Sequence, residues 1–159
     1  MNPNALIAVI KINALRRPLW QADTVQECLH ISRGRLVQMI EAGEIAWAWN
    51  IGRGNTRREL RILGHCIVEL QTGPIAEIGN TRNLGLPEVV NLILPKTRQT
   101  LRGRELQKLF SCNPDTIRKL HLDGYLDKVP EKLATVGPNS SPRYTRASLV
   151  NFFAKRRII

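Results

Sequence analysis

Apolar positions along the chain recur at helical spacing in two stretches that read alike. Thr24 to Ile45 (TVQECLHISRGRLVQMIEAGEI) and Glu105 to Leu126 (ELQKLFSCNPDTIRKLHLDGYL) superimpose at an offset of 81. Val25 then meets Leu106, Leu29 meets Phe110, Leu36 meets Ile117, Met39 meets Leu120 and Gly43 meets Gly124. Apolar matches apolar throughout, which is the signature of an internal duplication. Each copy predicts two short helices. In the first, Thr24 and Glu27 form a capping box that opens a helix to about Leu29, and Ser32 caps a second helix that Gly43 ends as a left-handed C′ residue. In the second, a helix covers about Arg102 to Phe110, Asn113 caps, Pro114 takes the first helical position and Gly124 terminates. Two helices joined by three or four residues make a helix-turn-helix.

After each glycine the pattern changes. Ile45 to Asn50 (IAWAWN), the turn Gly52 to Asn55 and Arg57 to Ile62 predict a β-hairpin wing. In the second copy the wing starts at Tyr125 to Val129, has Gly137 to Pro142 in its tip and returns through Arg143 and Tyr144, one residue longer overall. Both copies then resume a helical pattern, over Gly64 to Gln71 and over Ala147 to Arg157, where Leu149, Phe152 and Phe153 form an inward stripe. Trp47 and Trp49 are expected to pack, one inside and the other partly exposed. Asn4 to Leu15 fits neither a clean helix nor a clean strand, and Leu86 to Leu94 reads as a short helix with Pro87 near its start. The fold class expected is mainly α with small β-hairpin wings, two winged helix-turn-helix modules in tandem. Residues 1–19 form an apolar N-terminal segment, 20–71 the first module, 72–97 a linker with the short helix, and 98–159 the second module.

These residues carry a family resemblance. The first copy's S-R-x-x-L-x-x-x-I-x-x-G-x-I, and the second copy's N-P-D-T-I-R-K-L-H-x-D-G-Y-L followed by S-P-R-Y-T-R-A-S-L-V-N-F-F, resemble the excisionase and MerR-type winged helix-turn-helix family over about residues 20–71 and 98–157. The resemblance implies DNA-binding architecture, without the long dimerisation coiled coil or effector domain of the MerR regulators.

Charge fits that direction. The 159 residues hold 24 Lys and Arg against 13 Asp and Glu, a net +11. From residue 100 onward twelve Lys and Arg oppose five Asp and Glu, so most of the excess lies in the second copy. A polyanionic partner follows, and duplex DNA is the expected one, because each neutralised phosphate releases counterions. The chain carries no apolar run of membrane-span length, no secretory leader and no lipidation signal, and its three cysteines form no CxxC pair, so a cytoplasmic, nucleoid-associated protein is expected. Cys28, His30, His65 and Cys66 match no zinc framework, and no phosphate loop or nucleophile motif occurs. No enzyme activity, metal, cofactor, membrane or small-molecule effector is expected.

Site residues follow from the helix faces. With Leu36, Met39 and Ile40 turned inward, Arg33, Arg35 and Gln38 are the candidate base readers of the first copy. Arginine can grip guanine and glutamine adenine with two hydrogen bonds each. In the second copy Asn113, Asp115, Thr116, Arg118 and Lys119 are the candidates, with Arg118 and Lys119 foremost. Arg53, Asn55, Arg57 and Arg58 on the first wing, and Asn139, Ser140, Ser141, Arg143 and Arg146 on the second, suit backbone or minor-groove contact. Arg61 and Arg143 also suit hydrogen bonding within their modules. The function expected is sequence-specific binding of double-stranded DNA, as a transcriptional regulator or a mobile-element accessory factor, with a homodimer or cooperative assembly on DNA as a further expectation. The alternative is an interaction adaptor whose nearly neutral first module binds a protein.

Overall fold

A computed structural model describes residues 8, 12–14, 16–52, 59–130 and 142–158. The chain is mainly helical with small antiparallel sheets, and it divides into two compact units, Met1–Gly85 with Arg156–Ile159, and Leu86–Lys155. The division falls inside the stretch read as a linker. Residues up to Gly85 belong to the first unit, and the short helix belongs to the second.

In the first unit, β1 (Leu19–Gln21) runs directly into α1 (Ala22–Leu29), and α2 (Arg33–Glu41) follows. The hairpin strands β2 (Ala48–Asn50) and β3 (Leu60–Leu63) lead to α3 (Gly64–Thr72). The sheet order is β1-β3-β2, antiparallel, with Trp20 opposite Ile62 and Trp49 opposite Arg61. All four residues of β3 are buried, because it is the central strand. Arg61 is buried with them and donates to the Leu60 carbonyl. Its expected role inside the module is the one observed.

Two local expectations are corrected. Thr24 does not cap α1, which begins two residues earlier at Ala22, because β1 passes into the helix through Gln21 without a side-chain cap. Trp47 and Trp49 are both buried, 1% and 0% exposed. Residues two apart on an extended chain share a face, so the two rings stack with centroids 6.1 Å apart rather than dividing between core and solvent. Residues 72–85, part of the stretch read as a linker, pack within the first unit. Thr81 is buried, accepts at its carbonyl from Trp47 Nε1 at 2.8 Å, and its backbone N–H donates to Glu69 at 2.9 Å. The C-terminus closes the β2 edge: Ile158 N–H donates to the Ala48 carbonyl at 2.9 Å and the Arg157 guanidinium lies 3.5 Å over the Trp47 ring.

The second unit opens with α4 (Leu86–Ile93), followed by β4 (Thr100–Arg102), α5 (Gly103–Phe110), α6 (Pro114–Leu122), β5 (Arg143–Thr145) and α7 (Arg146–Arg156). β4 and β5 pair antiparallel, and Lys128 bridges to Tyr144 where the outgoing wing strand was expected. Phe110, Phe152 and Phe153 are fully buried and meet edge to face or tilted at 5.2–6.0 Å, an arrangement that aromatic quadrupoles favour. Val89, Val90 and Ile93 of α4 join the buried set.

Unit for unit, the elements correspond. Leu19–Gln21 and Thr100–Arg102, α1 and α5, and α2 and α6 keep the offset of 81, while Arg61–Leu63 and Arg143–Thr145 sit at 82. The register agrees as well, with Trp20 opposite Ile62 in one unit and Leu101 opposite Tyr144 in the other. The extra residue falls between the glycine and the returning strand.

His65 is the one buried histidine among the described residues, and its Nδ1 has no hydrogen-bond partner. Burial lowers its pKa from the ordinary 6.5. The unfolded chain therefore takes up the proton first as pH falls, so this contribution to stability is complete above pH 6.5 and is lost progressively below it. We expect the urea midpoint to fall between pH 7.5 and pH 5, and His65→Leu to flatten that dependence. An unchanged dependence in the variant would contradict this origin.

Candidate nucleic-acid interface

The exposed helix faces of the two units are built alike. In the second unit α5 ends at Ser111, which adopts a left-handed conformation (φ 46°), and the Cys112 N–H returns to the Gln107 carbonyl at 3.0 Å. This reverses the chain within three residues. Asn113 Oδ1 then accepts from Thr116 N–H at 2.8 Å and from its hydroxyl at 3.0 Å, fixing the start of α6. Gly124, at φ 78°, ends it where a side chain would be strained. Ile117 and Leu120 are buried under the helix, which leaves Arg118 and Leu122 exposed and Lys119 half-exposed.

Arg118 and Lys119 share one counter-ion. Arg118 donates through Nε and Nη2 to Asp115 Oδ1 at 3.1 and 2.7 Å, and Lys119 Nζ lies 2.6 Å from Asp115 Oδ2. The hydrogen bonds from Lys119 and Arg118 hold the Asp115 carboxyl below its usual range. Asp115 thus braces the two cations, while Arg118 Nη1 keeps hydrogens for another acceptor. Asn113 and Thr116, predicted beside them, are engaged in the helix cap.

The first unit repeats the frame with different electrostatics. His30 takes the left-handed turn position (φ 53°), Ser32 Oγ accepts from Arg35 N–H at 3.2 Å, and Leu36, Met39 and Ile40 are buried. Gln38 is exposed. Arg35 Nη2 lies 3.2 Å from Glu44, and Arg33 lies 3.9 Å from Asp23. Both candidate arginines are therefore next to carboxylates from outside their helix.

Arg146, expected at a phosphate, has its guanidinium engaged within its own unit, donating to the carbonyls of Pro95 at 2.8 Å, Arg98 at 3.3 Å and Leu94 at 3.4 Å, and to Asn91 Oδ1 at 3.0 Å. It ties the segment after α4 to the start of α7. Arg143 lies opposite Arg102 on the β4–β5 ladder and is half-buried. Arg53, Asn55, Arg57, Arg58, Asn139, Ser140 and Ser141 lie outside the described residues.

Reading the sequence for one helix face missed Arg104 and Lys108. They are exposed on α5 and line a depression with Gln107, Ser111, Cys112 and Asn113, beside the start of α6. Their i,i+4 spacing was the available signal. Among the described residues no three His, Cys, Asp or Glu side chains are grouped to hold a metal, and no helix is long and apolar enough to cross a membrane. Compared with known proteins, the chain matches no protein-family model, no curated protein and no solved structure.

Proposed function

We propose that the chain binds double-stranded DNA through two tandem winged helix-turn-helix modules and acts as a transcriptional regulator or a mobile-element accessory factor. The observation that carries this reading is α6: a capped helix, set at a tight turn from α5, with its apolar side buried and Arg118 and Lys119 on its open side. A helix so held fits the major groove, where Arg118 meets base edges and exposed cations beside the turn meet phosphates. Leu122, 64% exposed, suits contact with a thymine methyl. The +11 net charge supplies the long-range attraction.

For the first unit one observation favours a second reading. Glu44 and Asp23 stand against Arg35 and Arg33, and Glu41 is exposed on the same helix, so this face is close to neutral. Such a face suits a protein partner better than phosphate.

Titrating the full chain against duplex DNA at increasing salt tests the reading. For five or six neutralised phosphates, log K should fall with log salt at a slope of about −5. A flat titration, or tighter binding to single-stranded RNA than to the duplex, would overturn it.

A further inference from the structure

The second unit carries a cluster of cations that exceeds the acid its own fold sets against it. A cavity of about 470 Å³ is lined by Arg98, Arg102 and Arg143, by Thr97, Gln99 and Thr100, and by Glu105. Arg102 and Arg143 are direct cross-strand partners on β4 and β5, a placement where like charges repel. Glu105, the one acid among the described lining residues, offsets one of the three cations: it accepts from the Arg98 guanidinium and, at 2.8 Å, from the Arg102 backbone N–H, which leaves the charges of Arg102 and Arg143 in excess. The first unit shows what the fold itself requires at this pair. Gln21 and Arg61 occupy the equivalent positions, with Arg61 buried and satisfied by a carbonyl. The pair of cross-strand arginines is therefore an addition of the second unit, and both line a polar cavity with hydroxyl and amide donors.

We propose that this cavity binds a phosphate group. The chemistry matches at each point: guanidinium forks pair with phosphate oxygens two at a time, Thr97 and Thr100 hydroxyls and the Gln99 amide complete the donor set, and an anion between Arg102 and Arg143 turns their repulsion into attraction. A backbone phosphodiester of the DNA proposed above and free inorganic phosphate share this chemistry.

The test is a thermal melt of the full chain in sodium phosphate against sodium chloride at matched ionic strength, for the parent protein, Arg102→Gln and Arg102→Gln/Arg143→Gln. Arg102→Gln places at this position the residue the first unit already carries there, so it is suited to a folded variant even where the double variant fails. The parent Tm should rise saturably by about 5 °C more in phosphate than in chloride, and the variants should lose that excess. Phosphate's general stabilising effect acts on all three proteins alike and subtracts out. An excess that persists unchanged in Arg102→Gln, or none in the parent, overturns the site. A second arm identifies the phosphate's source. A duplex-binding salt slope that is shallower by about 0.9 in Arg102→Gln assigns it to the DNA backbone, and an unchanged slope assigns it to free phosphate. Should the parent fail to bind duplex at all, the DNA reading fails while the melt still decides the site.

Discussion

Arg146→Ala should destabilise the second unit by about 2 to 4 kcal/mol, making it among the most damaging single changes outside the aromatic core. The guanidinium donates to three backbone carbonyls and one side-chain amide, drawn from Asn91 to Arg98, and alanine leaves those acceptors without it. Arg146→Lys should recover only part of the loss, because a single ammonium cannot match the spread of a fork over several acceptors. Chemical denaturation followed by circular dichroism measures this directly. A phosphate-contacting arginine would behave in the opposite way, leaving the denaturation midpoint in place and reducing the salt slope of DNA binding by about one. Stability retained with a shallower slope would restore the role expected from sequence.

In the first unit, Trp47→Ala should cost about 3 to 5 kcal/mol, a large share of the 5 to 15 kcal/mol typical of a domain. The ring is 1% exposed, stacks on Trp49, donates to the Thr81 carbonyl and lies under the Arg157 guanidinium. Its loss opens a cavity and removes the partner of a buried carbonyl at once. Trp47→Phe keeps an aromatic face for Trp49 and Arg157 but loses the N–H, so it should cost about 1 to 2 kcal/mol beyond the effect of its smaller ring. Urea midpoints give both values. A cost below about 1 kcal/mol for Trp47→Ala would mean that Thr81 and Arg157 are not anchored on this ring.

The contrast between these two residues shows where sequence reasoning stops. The second helix of each unit was legible, because Ser32, Asn113, Gly43 and Gly124 state its ends chemically and Leu36, Met39, Ile117 and Leu120 state its inner face. The extra residue of the second copy was legible too, as the step in offset from 81 to 82 at the returning strand. Three-residue strands such as Leu19–Gln21 and Thr100–Arg102 were not, since so short a run has no period to detect. The hydrogen bonds of Arg146 were not legible for a different reason. Nothing in an arginine's local sequence says whether its acceptors will be phosphates or carbonyls, and here they lie about fifty residues earlier in the chain. The Arg102–Arg143 pair depends likewise on a register that joins distant strands. The pairing of Asp115, itself a candidate, with Arg118 and Lys119 could have been anticipated, because i,i+3 and i,i+4 spacing places them side by side on any helix.

The central claim, that α6 reads base sequence, is tested most directly by one ratio: the affinity for a duplex site enriched from a random library over the affinity for random duplex. It is measured for the full chain and for Arg118→Ala. The loss of a bidentate base contact, about 1 to 3 kcal/mol, corresponds to a drop of about 5- to 150-fold in that ratio, with binding to random duplex nearly unchanged. A folded Arg118→Ala protein that keeps the parent's ratio would show that this helix is not the reader.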